Sequence, residues 1–265
     1  MTVQPVGIQL RQWRQRRRLS QLDLAGDADI SARHLSFVET GRSLPSREMV
    51  LHLCEHLDVP ARERNVLLVA AGYAPVFFER PLNDPSLKPA RDAVDAVLNS
   101  HKPYPCFAVD RHWNIVASNL ALPEMYEGMA PELRTPPINA LRLALHPKGL
   151  APRTINLGEW RAHLLTRLAQ QVNLTADPVL VALLRELSAY PSPPAAHHPQ
   201  AGDVLVPFRI ATSLGELSFF STTMVFGTPV DITLSELAIE SFFPADEATV
   251  AAVKNSTGSI SLPHA

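Results

Sequence analysis

The stretch LSQLDLAGDADISARHLSFVETGR at residues 19–42 contains two short helical patterns with a polar interruption between them. Ser20, followed by Asp23 three residues later, is the aspartate form of a capping box and predicts where the first helix starts. After the interruption, Ser31 predicts the N-cap of the second helix. Gly41 suits the left-handed position just beyond a helix C-terminus, so the second helix is expected to end there.

Helical periodicity continues on both sides of this stretch, over residues 6–18, 47–57 and 61–71. Two short helices joined by a tight turn, the second beginning with small polar residues, describe a helix-turn-helix. In that motif the second helix lies across the first and enters a major groove of DNA. The N-terminal part of the chain is therefore predicted to be an all-α domain of five helices.

The composition is that of a folded protein, but the charge is unevenly distributed. Of the 265 residues, 46% are hydrophobic and 19% are charged, which excludes a mostly disordered chain. The formal net charge of −2, taken alone, argues against nucleic-acid binding. The first 47 residues, however, contain eight arginines, no lysine and four acidic residues. This local excess is either a solvated helix face or a footprint for phosphate groups, whose oxygens match guanidinium geometry.

Proline divides the chain into a smaller N-terminal part and a larger C-terminal part. Four of the 24 prolines lie between residues 75 and 89. Long helices cannot cross such a stretch, because proline lacks the amide donor and clashes with the preceding turn. We therefore expect a DNA-binding domain at 1–74, a proline-rich linker at 75–89, a second domain at 90–245 and a C-terminal tail at 246–265.

The C-terminal part alternates short strands with proline-broken helices. CFAVD at 106–110 and WNIVASN at 113–119 predict a hairpin, and residues 157–172 predict an amphipathic helix. Three further strands are predicted at 203–211, 215–226 and 233–243. With all five strands in one antiparallel sheet and the helices on one face, this order describes a PAS-like α+β sensor domain.

Residues 10–59 resemble the Xre/Cro-type helix-turn-helix family, whose domain is lambda-repressor-like. The resemblance rests on Leu10, Arg11, Arg14, Leu19, Ser20, Gln21, Leu24, Ala25, Ile30, Ser31, Glu39, Thr40, Gly41, Arg42, Pro45 and Ser46. The stretch RHLSFVETGRSLPSREMV at 33–50, followed by AGYAP at 71–75, resembles a narrower group, the MmyB-like regulators. Residues 90–245 resemble the ligand-binding domain of that group, through VDRHWNIVASN, PPINALRLALHPKGL and the helix centred on Trp160.

The resemblance implies a set of DNA contacts on and beside the second helix of the motif. The residues are Gln21, Ser31, Ala32, Arg33, His34, Ser36, Phe37 and Arg42. Arg33 is expected to read guanine through O6 and N7, since a guanidinium group matches both acceptors. Gln21 and Arg42 are expected on phosphates, and His34 either reaches a phosphate or covers the helix. Each of these residues is alternatively an ordinary surface residue.

Two structural expectations follow from the same resemblance. Arg14 and Glu39 are expected to form a partly buried ion pair that ties the first helix of the domain to the third. The family usually has glycine in the turn where this chain has Asp29. Aspartate tolerates a positive φ better than most residues, so the turn is expected to survive this change.

The resemblance also implies a lipophilic small molecule in the second domain, with fatty acids as the leading class. The residues themselves support only an aliphatic cavity between sheet and helices. Candidate lining residues, each alternatively plain core, are Phe107, Trp113, Ile115, Met125, Leu141, Trp160, Leu164, Phe219 and Met224. An acidic head group needs a cation or a hydrogen-bond donor. The candidates for that role are Arg142, His146, Arg153 and His163.

The sequence gives little support to catalysis or metal binding. Cys106 has no recognisable catalytic signature around it, so it is predicted to be core. His197 and His198 lack a spaced third ligand, so no metal site is expected. The chain has only two cysteines, which is typical of a reducing cytosol, and no apolar run long enough to span a membrane. We expect no enzyme, no required cofactor and no membrane association.

These features predict a cytoplasmic one-component transcription regulator. A homodimer is expected on a palindromic operator in double-stranded DNA, because one short helix reads only a few base pairs. The second domain is expected to bind a small lipophilic effector. Two alternatives stay open, namely an enzyme or lipid carrier with an accessory helix-turn-helix, and a second domain that only dimerises.

Overall fold

The computed structural model forms two compact units. It describes residues 4–119, 121, 128–193, 205–227 and 231–258. The first unit comprises residues 1–79 with the short segments 171–176 and 230–232, and the second comprises residues 80–170, 177–229 and 233–265.

Residues 4–79, all of them described, fold into five helices. These are α1 (Val6–Arg16), α2 (Gln21–Asp27), α3 (Ala32–Glu39), α4 (Arg47–His56) and α5 (Ala61–Ala70). Each contributes a leucine that is at most 1% exposed to one aliphatic core: Leu10, Leu24, Leu35, Leu53 and Leu67. Burial of these side chains stabilises helices that are too short to persist alone. The predicted all-α domain of five helices is confirmed.

The turn between α2 and α3 is held by the caps that the sequence predicts. The Ser20 side chain accepts a hydrogen bond from the Asp23 amide (3.1 Å), and the Asp23 carboxylate accepts one from the Ser20 amide (2.9 Å). Ser31 Oγ accepts a hydrogen bond from the His34 amide (3.1 Å). Asp29 takes a left-handed backbone conformation with a φ of 49°, which aspartate tolerates. The capping box and the turn are therefore confirmed.

The chain after residue 80 combines helices with a five-stranded sheet. The helices are α6 (Lys88–Ser100), α7 (Ala140–Leu145), α8 (Leu157–Thr175), α9 (Pro178–Ser188), α10 (Ile232–Ser235) and α11 (Glu247–Gly258). The strands are β1 (Cys106–Val109), β2 (Ile115–Ser118), β3 (Phe208–Thr212), β4 (Gly215–Val225) and β5 (Ala238–Pro244). Short 3₁₀ turns lie at Pro85–Leu87, Pro131–Leu133 and Ala151–Arg153.

The strands form one antiparallel sheet in the order β2-β1-β5-β4-β3. The central strand β5 pairs with β1, where Phe107 lies opposite Glu240, and with β4, where Ser221 lies opposite Phe242. Two hairpins, β1–β2 and β3–β4, complete the sheet on either side. The predicted five-stranded antiparallel sheet of a PAS-like domain is confirmed.

Helices cover both faces of this sheet. On one face, Cys106 and Ile239 pack with Val94 and Leu98 of α6 in a single apolar cluster. Neighbouring residues on a strand point to opposite faces, so Phe107 lies on the other face. The expectation that the helices lie on one face only is wrong. The physical reason is that α6 has its own apolar stripe, which the second face of the sheet buries.

Two segments near the C-terminus differ from their predicted structure. The strand predicted at 233–243 begins only at Ala238, because the short helix α10 precedes it. Part of the tail predicted at 246–265 forms α11. In α11, Thr249 is fully buried and its hydroxyl accepts a hydrogen bond from the Ser218 amide (2.9 Å). This contact with β4 explains how a segment of weakly apolar sequence packs onto the domain.

Candidate DNA-binding face and ligand cavity

Helix α3 is anchored by one side and presents the other to solvent. Leu35 and Val38 are buried in the core of the N-terminal unit. Arg33 is exposed and Phe37 is half-buried, as the helical period requires for positions on the opposite side. The other predicted contacts on or next to α3 are Ser31, which is exposed, and Ala32, His34 and Ser36, which are half-buried. The outward side of α3 therefore presents Arg33 and Phe37, whereas Ala32 packs against the core and Gln21 lies on α2.

Two arginines lie over one aromatic ring on this surface. The guanidinium carbon of Arg33 lies 5.4 Å from the centre of the Phe37 ring, and that of Arg42 lies 5.9 Å from it. Cation–π contacts of this kind restrict long side chains. The arrangement gathers two positive charges beside α3, and DNA offers matching acceptors on its phosphates and guanine edges.

Glu39, at the end of α3, is held by residues from α1 and α2. Its carboxylate accepts hydrogen bonds from Arg14 Nε (2.6 Å), Arg14 Nη2 (2.8 Å) and Gln21 Nε2 (2.7 Å). Arg14 is 7% exposed and Glu39 is 4% exposed. The hydrogen bond with Glu39 raises the pKa of Arg14. The contact with Gln21 occupies one donor of the amide group that is predicted to bind phosphate.

An apolar cavity of about 50 Å³ lies in the second unit, between the sheet and the helices α7 and α8. Its lining residues are Pro105, Phe107, Ile115, Ala140, Leu143, Ala144, Leu150, Trp160, Phe208, Phe219 and Phe242. The ring of Phe242 is central, with its centre 5.9 Å from that of Phe107, 6.0 Å from Phe208 and 6.5 Å from Phe219. An aromatic and aliphatic lining is typical of sites for lipophilic molecules.

Four of the predicted apolar residues line this cavity: Phe107, Ile115, Trp160 and Phe219. Three others are buried but are not among the lining residues: Trp113, Leu141 and Leu164. Met125 lies outside the described residues. Met224 faces away from the cavity, because it and Phe219 are an odd number of residues apart on β4 and therefore point to opposite sides of the sheet. Its side chain is 51% exposed.

The predicted head-group residue Arg142 does not line the cavity and is engaged with an acid. Its Nε and Nη2 donate to the two carboxylate oxygens of Glu186, over 2.8 and 2.7 Å. The hydrogen bond from Arg142 lowers the pKa of Glu186, against a smaller opposing effect of burial. His146, on the same segment, accepts a hydrogen bond from the Lys148 amide at its Nδ1 (3.0 Å). Both side chains therefore have partners within the domain.

The remaining two candidates for the head group also lie outside the cavity lining. His163 stacks on Trp160 with 5.4 Å between the ring centres. Burial lowers the pKa of His163, and the charge of Arg167 lowers it further against a smaller opposing effect of Glu240. Arg153 borders a separate open cleft of about 560 Å³. Among the described residues that line the apolar cavity, none carries a charge.

Sequence reasoning missed two aromatic residues of the cavity wall, Phe208 and Phe242. Phe208 lies directly opposite Phe219 in the register of β3 and β4, so the two rings share one face. Phe242 lies opposite Ser221, two residues after Phe219 and thus on the same face. The alternation of side chains along each strand, combined with the pairing register, identifies both Phe208 and Phe242 as lining residues. The register, however, is a property of the folded sheet.

Both cysteines are buried. Burial raises the pKa of Cys54 to about 12. Burial also raises the pKa of Cys106, whose Sγ lies 3.2 Å from Ser241 Oγ. Because the thiolate is the nucleophilic form, these thiols are poorly suited to covalent catalysis.

The second unit matches a known protein family. Residues 90–255, more than half of the chain, match the family described as MmyB-like transcription regulator ligand binding domain. The chain belongs to the MmyB-like transcription regulators. Residues 5–67 of this MmyB-like regulator match a helix-turn-helix domain. A search of curated proteins found no match.

The MmyB-like regulator binds DNA through its helix-turn-helix and a small molecule through its ligand-binding domain. The family is one of transcription regulators and not of enzymes. The described helices include none that is long and apolar enough to cross a membrane. Within the described ranges, no group of three or more histidine, cysteine or acidic side chains could hold a metal ion. His197 and His198 lie outside those ranges.

Proposed function

We propose that this MmyB-like regulator is a cytoplasmic one-component regulator that binds a palindromic operator as a homodimer and responds to a lipophilic, fatty-acid-like molecule. In this proposal residues 1–74 form the DNA-binding domain, 75–89 the linker and 90–245 the ligand-binding domain. The observation that supports a lipophilic ligand is the wholly apolar lining of the cavity between the sheet and the helices α7 and α8. Such a lining favours a hydrocarbon body, whose transfer out of water supplies the binding free energy.

Most of the proposed DNA contacts lie on α3 and just beyond it, and Gln21 adds one from the start of α2. Arg33 reads a guanine, because its guanidinium group is exposed and held over Phe37. Arg42, whose guanidinium group lies near the same ring, neutralises a phosphate. The polar contacts of the remaining surface are assigned to Gln21, Ser31, His34 and Ser36, and apolar contact with thymine to Ala32.

The size of the cavity supports a mechanism for the response. A volume of about 50 Å³ is well below the roughly 300–1,000 Å³ of typical ligand pockets. An acyl chain must therefore displace lining side chains on α7, α8 or the sheet. A ligand shifts a conformational equilibrium only through its different affinity for two states. Here the affinity differs because only the opened state accommodates the chain.

Native mass spectrometry of the full chain tests the ligand assignment. We expect a co-purifying lipid or, after delipidation, a complex with added tetradecanoic acid. Turnover of an added acyl thioester would instead identify an enzyme. A chain that binds no lipid would contradict the proposed lipophilic class of ligand.

Selection from random double-stranded DNA tests the other half of the proposal. We expect enrichment of a palindrome whose half-sites are spaced by about one helical turn or a multiple of it. Enrichment of a single asymmetric half-site contradicts the proposed two-fold complex. The same selection with the Arg33→Ala variant shows whether Arg33 reads a base or binds a phosphate.

A further inference from the structure

The second half of strand β4 has a neighbouring strand on one side only. Residues 215–219 of β4 pair with β3, whereas residues 219–225 pair with β5 on the other side. Immediately before β3, Pro207 does not continue the pairing, because proline has no amide hydrogen and its carbonyl oxygen accepts a hydrogen bond from Asn156 Nδ2 (2.8 Å). None of the described residues therefore pairs with the outer edge of β4 over 220–225.

The two outermost strands of the sheet, in contrast, have covered edges. At β2, the Ile115 amide donates a hydrogen bond to the Ile138 carbonyl oxygen (2.8 Å). At β3, the Arg209 carbonyl oxygen accepts a hydrogen bond from the Ile155 amide (2.8 Å). Proteins cover the edges of sheets because a row of unpaired amide and carbonyl groups recruits another strand. The second half of β4 is thus the place in the described sheet where a further strand can add.

The open segment has a composition that favours strand pairing. Its sequence, FSTTMV at 220–225, contains no charged residue, no proline and no glycine. Charged side chains and proline are the usual protections of a sheet edge, and β-branched residues such as threonine and valine favour strands. Met224 is 51% exposed and Val225 is 62% exposed. The edge is therefore apolar, accessible and unprotected.

An aromatic pair next to this edge enlarges the apolar surface. Phe220 of β4 lies opposite Phe243 of β5, and their rings stack with 5.3 Å between the centres. Phe243 is exposed, and Phe220 is half-buried. Alternate residues of a strand share a face, so Phe220 and Met224 lie on the same face of the sheet. A strand added at the edge would remove apolar area of both side chains from water.

We propose that the edge of β4 at 220–225 is a dimer interface, at which it pairs antiparallel with the same segment of a second copy of the chain. This inference rests on the proposed homodimer and names its interface. A two-fold axis places the segment opposite itself, and an uncharged segment tolerates this because no like charges meet. A second copy also presents a strand that is already ordered, so pairing loses less conformational entropy than binding of a flexible peptide would.

Hydrogen exchange of the wild-type full chain, followed by mass spectrometry over a series of protein concentrations, tests the interface. Sedimentation velocity over the same series, with and without the selected operator DNA, measures the fractions of monomer and dimer. In the dimer, we expect exchange in peptides that cover 220–225 to slow by about tenfold, because pairing protects the amides that point to the edge. Peptides that cover β2 are expected to exchange at the same rate in monomer and dimer.

The outcomes separate the interface from the dimer itself. A dimer without slower exchange at 220–225 overturns the interface and leaves the proposed homodimer intact. Protection of 220–225 that does not depend on concentration also overturns it, because the edge is then covered within one chain. A monomer under all conditions contradicts both the interface and the proposed homodimer.

A pair of lysine substitutions provides the second measurement. Thr222→Lys combined with Met224→Lys places two positive charges at exposed positions of the edge, where they repel those of the second copy. The dissociation constant of the dimer is expected to rise by about tenfold or more. Val116→Lys combined with Ser118→Lys is the matched control, because these residues are exposed at the same spacing on β2, and it is expected to leave the constant unchanged. Equal weakening by both pairs, or no weakening by the first, overturns the proposal.

Discussion

At the scale of single residues, the carboxylate of Glu39 connects three helices. It accepts hydrogen bonds from Arg14 and Gln21 and is almost fully buried. Glu39→Ala would leave the Arg14 guanidinium buried without a counter-charge, at a cost of roughly 3–5 kcal/mol. We expect the variant to unfold the N-terminal domain at a markedly lower temperature in calorimetry of the full chain.

Glu55→Ala is the matched control for Glu39→Ala, because Glu55 is exposed on α4 of the same unit. Its stability is expected to stay within about 0.5 kcal/mol of wild type. The assignment of a structural role to Glu39 is wrong if Glu39→Ala abolishes DNA binding and leaves the unfolding temperature unchanged.

Arg33 is the residue on which base recognition depends in the proposed complex. Arg33→Ala is expected to weaken binding to the selected operator by roughly 1–3 kcal/mol and to relax preference at one base pair. The reason is the loss of a bidentate contact that only guanine offers. Titrations of the operator, of single-base variants and of unrelated DNA check this outcome. Equal losses on all these sequences would make Arg33 a phosphate contact.

At the scale of elements, α1 and α3 pack so closely that only glycine fits at their contact. A Cβ at Gly7 would collide with the main-chain carbonyl oxygens of Val38 and Glu39. Gly7→Ala is therefore expected to destabilise the domain by roughly 1–3 kcal/mol, as overpacking does. Urea unfolding monitored by circular dichroism measures the change in midpoint.

Gly26 on α2 offers the matched glycine-to-alanine control. A Cβ there has no neighbour within 4 Å. Gly26→Ala is expected to stabilise the domain by about 0.5–1 kcal/mol, because alanine loses less backbone entropy in a helix. A similar loss of stability in both variants would contradict the close approach of α1 and α3.

Asp177 links the start of α9 to the turn between β1 and β2. Its carboxylate accepts a hydrogen bond from the Val179 amide (2.8 Å) and lies 2.9 Å from His112 Nε2 and 3.2 Å from Arg111 Nη2. Burial raises the pKa of Asp177, but the hydrogen bonds from His112 and Val179 and the charge of Arg111 outweigh it and lower the pKa. Because the pKa of Asp177 is lower in the folded chain than in the unfolded chain, where it is near 4, the ionised carboxylate stabilises the fold at pH values above about 4. This stability is lost as the pH falls through the pKa of the folded state.

Asp177→Asn tests this pH dependence. The variant is expected to be about 1–2 kcal/mol less stable at pH 7, because it loses hydrogen bonds to a charged group. Urea unfolding at a series of pH values below 5 should reveal a smaller acid-induced loss than in wild type. If both proteins lose the same stability at low pH, Asp177 is not the carboxyl responsible for that loss.

At the scale of the whole molecule, we expect a dimer on DNA. One recognition helix such as α3 contacts only a few base pairs, whereas two copies related by a two-fold axis read a palindrome. Light scattering at micromolar concentration, with and without operator DNA, measures the mass directly. A monomer under both conditions would count against the proposed complex.

The sequence by itself determined the features that depend on local chemistry. Ser20, Asp23 and Ser31 cap helices through backbone groups at most three residues away, so their pattern predicts where α2 and α3 begin. The five helices and the five strands follow from hydrophobic periodicity, which local residue order carries. The family match confirmed what the helix-turn-helix pattern and the strand order predict.

The tertiary structure alone decided which of these residues meet. Phe208 and Phe242 join Phe219 in the cavity wall because of strand register, which adjacent residues do not encode. Arg142 pairs with Glu186, 44 residues away, and so leaves the cavity without the cation that the sequence offered. Short-range patterns are set by backbone geometry within a few residues, whereas a site is set by long-range packing that only the folded chain brings about.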